Sequence, residues 1–220
     1  MQFDPTILLD RWPDLLHGFL LTLLIWITGS VLGLALGFVI GCLQAFAHRA
    51  IRWLCDAYVA VLRGTPFLIQ LFILYYGGPF MGLDLDPLTA GILGLAIYGS
   101  AYFAVIFTSG FASVPKGQIE AAMALGLNGW QRFRHVRFPQ AFRLILPPLG
   151  NDFVAMVKDS SLVAVLGVSD VAQLAKVTAA GNFRYFETYN VAAFLYLFMT
   201  ISLSLILRRF ETRMRERGKE

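Results

Sequence analysis

The chain has 220 residues, of which 57% are hydrophobic and 15% charged, and carries a formal charge of +4. Its mean hydropathy of +0.65 is too high for a soluble domain of ordinary composition, and the apolar residues arrive in long blocks. Backbone groups in lipid must be satisfied within their own element, so blocks of this length mean membrane-crossing helices rather than a soluble enzyme or nucleic-acid-binding domain.

Asp4, Asp10 and Asp14 stand where a secretory signal would be basic. From Gly18 to Ala47 there is no Asp, Glu, Lys, Arg or His, which is too long for a signal's apolar core, so the first span is expected to stay in the membrane over about 15–46. The second, 51–76, is apolar apart from Arg52, Asp56 and Arg63 and contains Pro66. Pro87 to Pro115 is again uncharged and gives a third span at 87–113. The fourth, 139–166, is interrupted by Arg143, Asp152, Lys158 and Asp159 and by the Pro147-Pro148 pair. Thr188 to Leu207 is uncharged and yields the fifth, 189–210. The expectation is an all-α polytopic membrane bundle of about five helices, one transmembrane domain over 1–220. Pro66 and Pro147-Pro148 are expected to interrupt the helical ladder, as hinges or static bends.

Charge in the connections sets the orientation. Arg49 and Arg52, then Lys116, Arg132, Arg134, Arg137 and Arg143, then Arg208, Arg209, Arg213, Arg215, Arg217 and Lys219 fall on one side. Only Arg11, Lys176 and Arg184 fall on the other, beside the acidic Asp84 and Asp86. This places the N-terminus in the periplasm and the C-terminus in the cytoplasm. The positive charge is thereby a topology signal and requires no nucleic acid. Cys42 and Cys55 lie near the cytoplasmic ends of two spans, read as small packing residues that stay reduced.

No G-x-x-x-x-G-K-[ST] loop and no G-x-S-x-G elbow occurs, and His17, His48 and His135 have no nucleophile or metal partner at a meaningful spacing. Energy for any transport must come from a partner or an ion gradient. The connection 114–138 is the most informative stretch. Gln118 to Leu125 is a strong helix former with Glu120 in its expected first turn, Gly126 offers a stop, and Asn128 can cap a second short helix from Gly129. Ala121, Ala122 and Ala124 leave a shallow surface that another protein could approach closely.

Glu120-Ala121-Ala122, Gly126, Val136 and Phe138-Pro139 resemble the EAA signature of ATP-binding-cassette importer permeases, with conservative departures at Val136 and Phe138. Arg63-Gly64-Thr65-Pro66 with Gln70-Leu71-Phe72, Lys116-Gly117-Gln118, Pro139-Gln140-Ala141, Pro147-Pro148-Leu149-Gly150-Asn151 and Lys158-Asp159-Ser160-Ser161-Leu162 are similar to segments of the polar amino-acid (histidine, glutamine and arginine) subfamily. The resemblance implies an importer permease of the bacterial inner membrane that binds no cofactor itself. ATP and Mg would be handled by a cytoplasmic ATPase dimer, with a second permease subunit and a periplasmic substrate-binding protein completing the assembly. Glu120, Ala121, Ala122 and Gly126 would form the ATPase-coupling contact, and uptake would follow alternating access.

Where the subfamily carries an acid and an arginine three apart in the third span, this chain has Val105 and Thr108. That departure suggests a non-identical second permease. Arg63, Thr65, Asn151, Asp152, Lys158, Asp159, Ser160 and Ser161 are the candidates for the translocation path or its gate. Intramembrane charges should face the bundle interior or water. A purely structural reading also stands, in which Arg63 pairs with the acids and fixes the fourth span to the second. An importer of an opine or compatible solute is the nearest alternative. A secondary transporter would need internal repeats, which are not visible.

Overall fold

The computed structural model describes residues 11–216 and forms an all-helical bundle. Asp4, Asp10, Arg217 and Lys219, named above, lie outside the described residues. In chain order the helices are α1 (Trp12–Phe46), α2 (Arg49–Gly64), α3 (Phe67–Gly77), α4 (Pro87–Ala112), α5 (Lys116–Ala124), α6 (Gly129–Arg132), α7 (Phe138–Asp159), α8 (Val171–Asn182) and α9 (Tyr185–Glu216). A 3-10 turn at Gly78–Met81 follows α3, a π-helical turn at Phe133–Arg137 joins α6 to α7, and a 3-10 segment at Ser160–Leu166 ends α7.

Three helices, at Trp12–Phe46, Pro87–Ala112 and Tyr185–Met214, are long and apolar enough to cross a membrane, or up to five if each of two bent pairs is one span. The pairs are Arg49–Gly64 with Phe67–Met81, bent by 105°, and Gly129–Leu166 with Val171–Asn182, bent by 51°. The first bend falls at Pro66, as expected. Proline has no N–H to give the carbonyl four residues back, and Gln70 Nε2 donates to that orphaned Leu62 carbonyl at 2.7 Å. The same amide reaches Thr65 Oγ1 at 2.8 Å, while the Thr65 hydroxyl donates to Val61 O at 2.9 Å. The R-G-T-P…Q pattern is therefore a self-patched break. Pro147 and Pro148 behave otherwise: α7 runs through both without interruption.

The core is a seam between α1 and α4, the most extensively packed pair. Gly29, Gly33, Gly37 and Gly41 recur every four residues, so they share one face of α1. They form a groove that receives Leu95, Ala96, Phe103 and Phe107 of α4. Such small-residue grooves let membrane helices approach backbone to backbone, where packing rather than water exclusion drives association. Thr108 donates to Gln44 Oε1 at 2.9 Å, and Gln44 Nε2 donates to Asp56 at 2.8 Å, so one polar chain ties α4, α1 and α2. Val105 packs with Ile40, Val59, Ala101 and Ala104. The two positions that lack the subfamily's charged pair are thus absorbed into internal packing.

Asp86 caps α4, accepting from Leu88 N at 3.0 Å and Thr89 N at 3.1 Å. Its hydrogen bonds with Thr89, side chain first and then backbone, hold its carboxyl below the ordinary carboxylate range. Helix α8, in the connection between the expected fourth and fifth spans, docks on the N-terminal half of α1: Val171 N donates to Thr22 Oγ1 at 3.2 Å. The buried Asp170 caps it by accepting from Gln173 N at 2.8 Å.

Candidate functional site

Two regions carry the residues singled out from the sequence, about half the bundle apart. The first is the elbow. Helix α5 begins at Lys116, two residues before its expected start, so Glu120 lies past the first turn. The stop is as expected: Gly126 has φ +77, and its N–H donates to Met123 O at 2.9 Å. The second helix also starts as expected. Asn128 Oδ1 accepts from Gln131 N at 3.0 Å while Gln131 Oε1 accepts from Asn128 N at 2.9 Å, a reciprocal capping box.

The elbow does not present its four named residues on one surface. Glu120, Ala121 and Gly126 are exposed, but Ala122 is only 4% exposed and packs into its own chain. The exposed apolar residues beside them are Met123, Leu125 and Trp130, with Leu125 at 79%. The sequence reading missed these three; large apolar side chains inside a charged, lipid-free connection were the available signal.

Aromatic packing seats the elbow beneath the bundle. The Phe133 ring lies 5.5 Å from Phe46, 5.6 Å from Phe111 and 5.8 Å from Phe138. The Arg137 guanidinium sits 5.0 Å over the Phe46 ring. Two cavities flank this wedge. One, of about 780 Å³, lies among Cys42, Phe46, Trp130 and Phe133; the other, of about 560 Å³, lies among Gln44, Arg52, Lys116 and Glu120.

The second region lies half-way along the bundle. Met156 of α7 abuts Gly99, near the middle of α4, and accepts a hydrogen bond from Ser30, near the middle of α1. Around it Asp152, Asp159, Tyr98 and Tyr102 line a cavity of about 70 Å³. The two acids are seven residues apart on α7, two helical turns, and share the face toward α4. Tyr98 donates to Tyr102 Oη at 3.3 Å. The Arg63 guanidinium lies 5.1 Å over the Tyr102 ring. Among the described residues it forms no ion pair with either acid, although its charge acts electrostatically on Asp152.

The remaining candidates scatter. Thr65 belongs to the Pro66 break. Ser160 is buried and donates to Val157 O at 2.7 Å, and Ser161 donates to Lys158 O at 2.6 Å, so both hydroxyls close the end of α7. Asn151 is exposed. Lys158 is exposed and lines a different cavity from Asp159, on the side of α7 that faces α9.

This geometry has a close counterpart among known proteins. The family model described as "Binding-protein-dependent transport system inner membrane component" matches residues 29–216. The glutamine transport system permease protein GlnP of Escherichia coli (strain K12) is 41% identical over 221 residues, covering 98% of this chain and 99% of that protein. The arginine transport system permease protein ArtQ of Bacillus subtilis (strain 168) is 32% identical over 216 residues, again covering 98% and 99%. The solved crystal structure of an amino acid ABC transporter with histidines superposes with a TM-score of 0.89 at 36% identity, covering 97% of this chain and 100% of that one. An inward-facing structure of the MetNI methionine ABC transporter shares the fold at a TM-score of 0.82 and 19% identity.

Proposed function

The chain belongs to the family of binding-protein-dependent transport system inner membrane components, and on that premise we propose that it imports a polar amino acid of the glutamine or arginine type. It is a multi-pass permease subunit of the bacterial inner membrane and performs no covalent chemistry of its own. The full-length 41% identity to a glutamine permease is the observation that carries the substrate class. The acids, tyrosines and arginine gathered half-way along the helices are what a zwitterionic solute would need while shedding water.

In this reading each bent pair is one span, giving five, with the N-terminus in the periplasm and the elbow and C-terminus in the cytoplasm. The Lys and Arg distribution supports that orientation. A cytoplasmic ATPase dimer, which binds ATP and Mg, docks on the elbow's outer surface at Glu120, Ala121 and Gly126, with Met123 and Leu125 supplying apolar contact. Ala122 holds the elbow to its own bundle instead. Closure of the ATPases moves the elbow, and the bundle re-packs between inward-open and outward-open states. A periplasmic binding protein delivers the solute. The second permease is non-identical and supplies the charged pair that Val105 and Thr108 replace.

The test is reconstitution of the complex with its ATPase and binding protein in proteoliposomes. ATP-dependent accumulation of labelled glutamine or another polar amino acid is expected. Accumulation that proceeds at full rate without the ATPase subunits, or of no amino acid at all, sinks the reading.

A further inference from the structure

The larger of the two cavities beside the elbow has walls of a particular kind. It is lined by Cys42 and Phe46 of α1 and by Trp130, Arg132, Phe133 and Arg137 of the elbow, and encloses about 780 Å³. That lies within the range of about 300–1,000 Å³ that holds a ligand of moderate size. Two arginines line it and no carboxylate does, whereas its neighbour of about 560 Å³ carries Glu120 beside its cations. Among the described residues neither Arg132 nor Arg137 forms an ion pair. Arg137 Nε is moreover buried without a hydrogen-bond partner, while its guanidinium rests on the Phe46 ring. A buried, orphaned donor on a cation calls for an oxyanion.

What this cavity opens onto follows from α1. Phe46 is the last residue of that helix, and His48 and Arg49 follow at once, so the cavity sits where the apolar span gives way to a polar boundary. Val39, Leu43 and Phe46 are exposed and spaced four and three apart, so they form one stripe running along α1 from the cavity. At about 100° per residue the stripe lies roughly 140–200° round the helix from Gly41, which faces α4. It therefore points away from the bundle. Membrane helices pack on one another through small residues, and this stripe has only bulky apolar ones. The stripe faces acyl chains, and the cavity is the place at headgroup level where that lipid-facing surface meets two cations. Trp130, stacked on Phe133 at 5.8 Å and 65% exposed, is of the residue type that gathers at that level.

We propose that this cavity binds the phosphate of an anionic phospholipid from the cytoplasmic leaflet, held between Arg132 and Arg137, with one acyl chain along Phe46, Leu43 and Val39. Basic pockets on the cytoplasmic side of a helical bundle suit such headgroups. The lipid bridges α1 and the elbow, so the elbow's freedom to move depends on the charge of the membrane. The inference rests on the orientation proposed above and is independent of the transported solute.

The full complex with its ATPase subunits, stripped of lipid in detergent, is titrated with phosphatidylglycerol and with phosphatidylcholine of the same chains, and bound lipid is read by native mass spectrometry. Phosphatidylglycerol should bind about tenfold more tightly or better. Arg132→Gln and Arg137→Gln should each cut that preference by about fivefold, and Arg132→Lys should keep most of it. Arg134→Gln, an exposed arginine between them that lines neither cavity, should leave it unchanged. Cys42 lines the cavity and Cys55 does not, so their alkylation by N-ethylmaleimide locates the lipid: phosphatidylglycerol should slow Cys42 and leave Cys55 alone. No preference in the parent complex overturns the proposal, as does an unchanged preference in both Arg132→Gln and Arg137→Gln, or an Arg134→Gln variant that loses as much as they do. Equal slowing of both cysteines puts the lipid elsewhere and overturns it. A Cys42 that fails to react in lipid-free detergent shows the cavity closed within the complex, with the same result. Protection of Cys42 by inorganic phosphate alone assigns the arginines to a soluble anion and likewise overturns it. Lipid binding needs neither ATP nor solute, so a failure of transport leaves this result standing.

Discussion

Replacing Gly37 with alanine should be among the most damaging single-methyl additions in the chain. A Cβ there would lie 2.6 Å from Phe103 Cβ and 2.8 Å from Ser100 O. Neither atom can swing aside, because one is a carbonyl fixed in the α4 ladder and the other is bonded directly to its backbone. The helices must part by about 0.8 Å, the difference between 2.6 Å and the 3.4 Å at which ordinary contact begins. Overpacking of this kind costs about 1–3 kcal/mol, or roughly 2–12 °C in melting temperature for a chain of this size. The informative comparison is Gly99→Ala, whose Cβ would come still closer to a neighbour, 2.4 Å from Met156 Cε. That neighbour is the tip of a flexible thioether and can rotate away. Thermal unfolding of the purified complex, read by intrinsic fluorescence in one detergent, should rank Gly37→Ala well below Gly99→Ala, with Gly181→Ala near the parent because nothing lies within 4 Å. Equal losses at Gly37 and Gly99, or a larger one at Gly99, would refute the argument that immovable atoms decide the cost.

Gln70→Ala should destabilise the chain by about 1–3 kcal/mol, because it strands the Leu62 carbonyl at the Pro66 break; a melting temperature within a degree of the parent would show that water patches the break equally well. Ala121→Arg and Ala122→Arg should separate two roles on one helix. The exposed Ala121 variant should assemble a stable permease that no longer recruits the ATPase in a pull-down, whereas the buried Ala122 variant should lower thermal stability first; the reverse order contradicts the observed elbow. Asp86 should contribute to stability in a pH-dependent way. Its folded carboxyl is depressed, so the stabilisation is complete above the ordinary value of about 3.9 and is lost as pH falls through the lowered one. The difference in melting temperature between the parent and Asp86→Ala should persist at pH 5 and shrink only in stronger acid; its disappearance by pH 6 would contradict the cap.

What the sequence made legible follows the severity of the physical constraint. Lipid tolerates no unsatisfied backbone, so the uncharged blocks at Gly18–Ala47, Pro87–Pro115 and Thr188–Leu207 could hardly be anything but long helices, and α1, α4 and α9 are where they were expected. Gly126 and Asn128 act locally, through φ and a side-chain cap, and both do what their residue types allow. Long-range facts were hidden. Proline reports that a donor is missing at Pro66 and at Pro147, but not whether the chain bends by 105° or continues as one helix. Which helix the α1 glycines receive depends on α4 register, which no local pattern encodes. The run from Lys158 to Ser161 read as one polar patch, yet a helix turns about 100° per residue, so Lys158 and Asp159 diverge while Ser160 and Ser161 serve the backbone. Amphipathic α8 escaped notice because Gln173, Lys176 and Asn182 make it look like a loop by hydropathy.

The continuity of the chain between the two regions explains how they could act together. From Gly129 the capped α6 passes through the π-helical turn at Phe133–Arg137 into α7 with no loop, and α7 then runs unbroken to Asp159. Roughly thirty residues of continuous helical chain thus join the elbow to the charged middle of the bundle. A π turn winds looser than α-helix, and Pro147-Pro148 removes two hydrogen bonds further along, so this stretch has defined places to flex without losing its register. The elbow is seated on the bundle through aromatic faces around Phe133 together with Ile119 and Ala122, whereas α1 and α4 are locked by close-packed glycines. A push on the elbow should therefore tilt α7 against a rigid α1–α4 wall. Asp152 and Asp159 would then shift relative to Tyr98 and Tyr102 in the same movement.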